Sequence, residues 1–196
     1  MSYVRRVTDG DLLLNPHDRA LGRAAVASGR LLNDLGGAHL EAAGNLVEKA
    51  ARALETGDEA KAERYLERAC AYPYDERELL HHGPWAAHMF LHDEVTDAFV
   101  HSHVDDEEWL DVALEQAATG SGLGREHLAD ILHELSAQAR FYELTPRESR
   151  RIRKALGKRS MSPDFRLAAD ASIAEQVAVA RELIETALRF HRALHH

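Results

Sequence analysis

Apolar residues recur at alternating intervals of four and three positions along the last part of the chain. This spacing keeps side chains on one face of an α-helix, as in the contact seam of a helical bundle or coiled coil. The composition agrees, because 32 Ala and 26 Leu accompany only 14 Val and Ile. Ala and Leu favour helix, whereas β-branched residues favour strands. The spacing predicts one long helix whose seam comprises Ile173, Val177, Ala180, Ile184, Ala187, His191 and Leu194.

Helix start and stop signals divide the rest of the chain into segments of helical length. Thr145 and Ser172 each begin a capping box, in which a hydroxyl residue is followed three positions later by a glutamate. No segment alternates between apolar and polar residues as a strand does. We therefore predict an all-α bundle of about eight helices, forming a single domain over residues 1–196 that could divide into 15–82 and 84–194. The predicted helices cover about 16–35, 40–55, 59–71, 85–103, 106–118, 123–143, 146–156 and 173–194.

A short segment resembles a known helical repeat. Residues Gly57–Ala62 have the sequence Gly-Asp-Glu-Ala-Lys-Ala, and Ala69 and Pro73 follow them. This pattern is similar to the second half of a tetratricopeptide repeat, in which a Gly-Asp turn precedes small residues that let two helices approach closely. The resemblance covers about residues 45–74 and implies a partly repeat-like helical hairpin. Lys49 stands where the family has leucine, and no second copy follows at the repeat period, so an ordinary helical hairpin is the alternative.

The charge balance and the missing motifs limit the classes of function. The formal net charge is −9, which argues against a protein that binds nucleic acid through its overall charge. The only cysteine is Cys70, so no intrachain disulfide is expected. No apolar run has the length of a signal sequence or a membrane span, and we expect a cytoplasmic protein without a membrane partner. The sequence contains no phosphate loop, nucleophile elbow or dinucleotide fingerprint, and we expect no catalytic residues.

Histidine is abundant, with 13 residues in the chain, and two of them have the spacing of metal ligands. His88 and His92 are four positions apart on one predicted helix, so they share its apolar face. Such a pair can hold one divalent metal together with a third ligand from another helix, which His133, His127 or Glu134 could supply. The alternative is that these are core histidines whose ring nitrogens hydrogen-bond to carbonyls or acids. We predict no cofactor and favour core histidines, with a divalent metal at this pair as the other interpretation.

The charges are strongly segregated along the chain. Residues 78–124 include ten acids and no Lys or Arg, whereas 147–166 include eight basic residues and two acids. The basic tract could bind nucleic-acid phosphates, and residues 144–148 resemble the opening of the helix-turn-helix domain of LuxR-type regulators. It could instead pair with an acidic surface of the same chain or of a second copy, or lie solvated. This basic patch comprises Arg147, Arg150, Arg151, Arg153, Lys154, Lys158 and Arg159.

These observations predict a non-catalytic helical protein-protein interaction or adaptor protein, which binds a protein partner or self-associates as a homodimer. Two alternatives remain open. One is a bundle that binds a metal or small ligand through His88 and His92, and the other is a nucleic-acid-associated regulator that uses residues 147–166. The seam residues expected to form the contact between copies are Ile173, Val177, Ile184, His191 and Leu194.

Overall fold

A computed structural model describes residues 41–72, 82–101, 108–120, 122–157 and 170–195. Within these ranges every regular element is an α-helix and no strand is present, so the prediction of an all-α fold is confirmed. The first predicted helix and the basic residues Lys158 and Arg159 lie outside the described residues. The seven described helices are α1 (helical over 41–55), α2 (Glu59–Cys70), α3 (His82–His101), α4 (Glu108–Thr119), α5 (Gly122–Ala137), α6 (Pro146–Leu156) and α7 (Ile173–His195).

Side-chain caps begin three of these helices at the positions that the sequence indicates. Thr145 Oγ1 accepts a hydrogen bond from the Glu148 N–H at 3.3 Å, while the Thr145 N–H donates to Glu148 Oε2 at 2.7 Å. Ser172 and Glu175 form the same reciprocal pair before α7, also at 3.3 and 2.7 Å. The Asp58 side chain accepts a hydrogen bond from the Lys61 N–H, in the first turn of α2. Both predicted capping boxes are therefore confirmed, and each satisfies N–H groups that a helix start leaves unpaired.

Helices α7 and α3 are the central packing elements of the described bundle. α7 contacts α2, α3, α4 and α5, and α3 contacts α2, α4, α5 and α7. Leu91 and Val95 of α3 and Ile184 of α7 are fully buried. Because neighbours surround much of α3, its apolar residues do not keep to one stripe. Trp85, near the start of the helix, is 38% exposed.

Helices α5 and α7 approach each other closely at Gly124. The Gly124 N–H donates to Glu182 Oε1 of α7 at 3.3 Å. A Cβ on Gly124 would lie 2.9 Å from both the Glu182 carbonyl oxygen and Thr186 Cβ, which is too close for atoms that are not bonded. The absence of a side chain at this position therefore sets the separation of the two helices.

Helix α5 is shorter than the sequence predicts. It ends at Ala137 rather than near residue 143, and residues 138–143 form turns. Glu143 adopts a positive φ of 54°, and Leu144 is then buried beside the start of α6. The prediction was wrong because no glycine or proline marks the end of the helix before Pro146. The buried hydroxyl oxygens of Ser136 and Ser149, 3.0 Å apart, then join α5 to α6.

The described helices from Ala42 onward belong to one compact unit, Ala42–His196. Helices on both sides of the predicted subdivision near residue 83 share its core, since α2 contacts both α3 and α7. The assignment of residues 1–196 to a single domain includes residues outside the description and stays a prediction. In the described ranges, none of the helices has both the length and the apolar character needed to cross a membrane.

Candidate interaction surfaces

Helix α6 presents a basic stripe to solvent. Ser149 and Ile152 are buried on one side of the helix. Arg147, Arg150 and Lys154 are exposed on the opposite side, within about 60° of one another at 3.6 residues per turn. We call these three residues the basic stripe. Its side chains project together because they are three, four and seven positions apart.

One flank of α6 is already paired with an acidic helix. The Arg151 guanidinium forms an ion pair with the Asp111 carboxylate of α4. Arg153 donates from Nε to the Ser149 carbonyl oxygen at 3.2 Å, within its own helix. The basic tract therefore meets the acidic tract of the same chain at Arg151, which is one of the arrangements that the sequence suggests. The basic stripe itself faces away from the buried side of α6.

The middle of the α7 seam is buried within the folded chain. Val177 and Ile184 are 3% and 0% exposed, and Ala180 and Ala187 are also buried. Leu194 is half-buried against the same core. Only the ends remain accessible, since Ile173 is 48% exposed and the His191 side chain is 45% exposed. An interface between copies centred on Val177 and Ile184 is therefore incompatible with the folded chain, and this part of the sequence-based prediction needs correction.

A groove of about 290 Å³ opens between α1, α3 and α7. Its floor contains buried Ala51 and Leu188 and the half-buried ring of Phe90. The small side chain of Ala51 leaves space between longer neighbours on α1. The rim is largely polar and is formed by Glu48, Arg52, Glu55, Glu94 and His191.

The rim of this groove has an excess of carboxylates. Arg52 pairs with Glu48 at 3.5 Å, and His191 Nδ1 lies 3.0 Å from Glu94 Oε2. Glu55 adds an exposed carboxylate at the same opening. Burial raises the pKa of Glu94 above its ordinary value, and the neighbouring His191 opposes that rise. Three glutamates, one arginine and one histidine line the opening, so carboxylates are in excess there.

This groove is not evident from the sequence. His191 belongs to the predicted α7 seam, and Glu94 is one of the ten acids between residues 78 and 124. The groove exists only because α1, α3 and α7 meet, and helical spacing along one segment does not show which segments meet. The available signal was the i, i+7 spacing of Glu48 and Glu55, which is also typical of a solvated helix face.

The structure places the candidate metal-binding histidines in an aromatic cluster between α3 and α5. The ring centroids of His88 and His127 are 5.4 Å apart in an edge-to-face arrangement, and Trp85 lies 5.6 Å from His88. His92 is buried one turn further along, with its Nδ1 3.4 Å from Thr96 Oγ1. His127 rather than His133 is thus the α5 histidine beside His88.

His133 is buried on α5, and its Nε2 has no hydrogen-bond partner among the described residues. It is six positions from His127, which places it about 120° around the helix. In the part of the chain that is described, no group of three or more His, Cys, Asp or Glu is arranged to hold a metal ion. The metal site at His88, His92 and His133 therefore stays a hypothesis.

The surroundings of the histidine cluster favour the neutral form of the imidazole rings. Burial, together with the nearby His127 and His92, lowers the pKa of His88 to about 4. Burial likewise lowers the pKa of His127 to about 4, and that of His92 below its ordinary value. Neutral imidazoles can pack in an apolar interface, whereas protonated ones would lose hydration there and repel one another.

Comparison with protein families, with curated proteins and with solved structures finds no significant match. The tetratricopeptide-like pattern therefore stays a resemblance. Its Gly57 has a φ of 75° and lies in the three-residue connection between α1 and α2, as a tight helical hairpin requires.

Proposed function

We propose that this chain is a non-catalytic interaction protein that self-associates, and that the basic stripe of α6 forms one side of the contact. The single observation that carries the proposal is the exposed stripe of Arg147, Arg150 and Lys154 on a strongly acidic chain. A surface of opposite sign is most readily supplied by another copy of the same chain. We place the contact on α6 rather than on the buried α7 seam.

The distribution of charge allows α6 to attract an acidic surface of a second copy although two whole chains repel each other. Helix α6 contains five basic residues and one acid, whereas the whole chain has a formal net charge of −9. At about 0.1 M salt the Debye length is about 10 Å, so charges in contact still attract while distant charges are screened. Complementary patches of this kind chiefly orient and steer association.

Two other functions use some of the same residues. A nucleic-acid-associated regulator would also use the α6 stripe, but this helix lacks aromatic residues for stacking on bases. A metal-binding bundle would use His88 and His92, and the described residues offer no third ligand arranged around them.

Light scattering coupled to size exclusion tests the proposal, with the chain at tens of micromolar in about 0.1 M salt. We expect the wild-type mass to exceed the 21.9 kDa of one chain. Arg150→Glu with Lys154→Glu should reduce it to one chain. The matched control is Arg64→Glu with Arg68→Glu, which makes the same charge change at the same spacing on the exposed face of α2. A monomeric wild type, or equal losses in both double variants, would contradict the proposal.

A further inference from the structure

The groove between α1, α3 and α7 has the chemistry to bind the side chains that α6 exposes. Its rim contains the glutamates at positions 48, 55 and 94. Glu48 pairs with Arg52 at 3.5 Å, Glu94 lies 3.0 Å from His191 Nδ1, and Glu55 is exposed. Its floor is apolar, formed by Ala51, Leu188 and Phe90. An extended cationic side chain is the ligand that matches an apolar floor beneath a ring of carboxylates.

We infer that this groove receives the basic stripe of α6 from a second copy of the chain. The inference rests on the proposed self-association and assigns the second side of the contact. The occupant is identified by charge complementarity, because α6 is the most basic of the described helices and the groove rim has an excess of acids. The chain already forms one contact of this kind, between Arg151 of α6 and Asp111 of α4.

The composition of the stripe suits such a site. Arginine buries its methylene stem against apolar surface while its guanidinium remains at the polar rim. The planar guanidinium donates two parallel hydrogen bonds to one carboxylate and also packs on an aromatic face. Glu55 and Phe90 offer both partners within the same groove. Arg150 is therefore the residue we expect to enter it, with Lys154 at the rim.

The two surfaces are different, and every copy has both. A two-fold pair of copies would form the same contact twice and close as a dimer, while an unclosed arrangement would extend to longer assemblies. In both cases a copy with a damaged stripe can still offer its groove. A copy with a damaged groove can still offer its stripe. This complementarity makes a mixing experiment decisive.

The experiment compares two variants alone and in equimolar mixture, again by light scattering in about 0.1 M salt. The stripe variant is Arg150→Glu with Lys154→Glu, and the groove variant is Glu55→Lys. Glu67→Lys is the control for the groove variant, because Glu67 is an exposed glutamate in the last turn of α2. Circular dichroism melts establish that each variant is folded.

We expect each variant alone to have the mass of one chain and the mixture to have twice the chain mass of 21.9 kDa, while Glu67→Lys behaves as the wild type. A Glu55→Lys variant that self-associates like the wild type would overturn the groove assignment and leave the proposed function intact. A mixture that stays monomeric would overturn it as well. A monomeric wild type would overturn both proposals together.

Discussion

Arg151 of α6 and Asp111 of α4 form an ion pair that joins the most basic described helix to an acidic one. The two helices also lie next to each other in the bundle. The pair is part-exposed, with 27% of the arginine side chain and 67% of the aspartate side chain accessible. The acidic and basic tracts of the sequence therefore contact each other in the folded chain. This contact helps to fix the orientation of α6 and of the basic stripe that it exposes.

The energy of this ion pair should be small. Exposed pairs contribute about 0.2–1 kcal/mol, because water screens the charges and two long side chains lose freedom. We expect a double-mutant cycle of Arg151→Ala and Asp111→Ala to give a coupling energy in that range, falling as salt is raised. Urea unfolding of the four proteins measures it. A coupling energy of several kcal/mol that does not change with salt concentration would contradict this expectation for an exposed ion pair.

Gly124 should not tolerate a side chain, whereas Gly44 should. A methyl group on Gly124 would meet the Glu182 backbone and Thr186, so Gly124→Ala should reduce the free energy of unfolding by about 1–3 kcal/mol. A Cβ on Gly44 would meet nothing within 4 Å, and alanine suits a helix interior. Gly44→Ala should therefore stabilise the fold by about 0.5–1 kcal/mol. Chemical denaturation of both variants checks the contrast, and similar values for the two would contradict it.

Acid should destabilise the bundle through its buried histidines. Since burial holds the pKa of His88 and of His127 near about 4, both rings stay neutral in the folded chain at pH 5. In the unfolded chain they protonate below about pH 6.5, so the unfolded state binds more protons between these two values. The stability that these two neutral rings contribute is thus fully present above about pH 6.5 and falls towards pH 4, by an amount on the order of 1–3 kcal/mol for each ring.

The variant His88→Gln isolates this effect. It removes one titrating ring and should flatten the dependence of the unfolding free energy on pH between about 6.5 and 4, relative to the wild type. Titration of the carboxylates affects both proteins, so the difference between the two curves reports the imidazole. Parallel curves would show that His88 protonates equally easily in both states.

The single thiol should be slow to react in the folded chain. Burial raises the pKa of Cys70 to about 12, and Gly83 packs against its sulfur atom. At pH 8 we expect alkylation of the folded protein to be about a thousandfold slower than in guanidinium, because only the thiolate reacts. Mass spectrometry of iodoacetamide time courses measures both rates. Rapid labelling of the folded protein would show that Cys70 is accessible.

The sequence predicts most helices here because their limits depend on local chemistry. Thr145 with Glu148 and Ser172 with Glu175 mark starts that involve residues only three positions apart. The end of α5 was predicted too late, since the turns of residues 138–143 begin where the sequence has neither a glycine nor a proline. Local sequence signals therefore predict the starts of these helices more reliably than their ends, because tertiary packing also influences where a helix ends.

The sites were less predictable than the helices, because they depend on which faces meet. The exposure of Arg150 and Lys154 follows from helical spacing along α6. Helical spacing does not show that Val177 and Ile184 are buried within one chain rather than between copies, because the seam spacing is the same for a bundle and for a dimer. The pairing of His88 with His127 likewise requires knowing that α3 contacts α5.

The dependence of self-association on salt tests the central claim most directly. Sedimentation equilibrium of the wild-type chain should give a multimer in about 0.1 M salt and a single chain in about 1 M salt, where the Debye length falls from about 10 Å to about 3 Å. Loss of association at high salt would identify a contact between charged surfaces, since high salt strengthens apolar contacts. A mass that is unchanged or larger at about 1 M salt would contradict an interface built on the basic stripe.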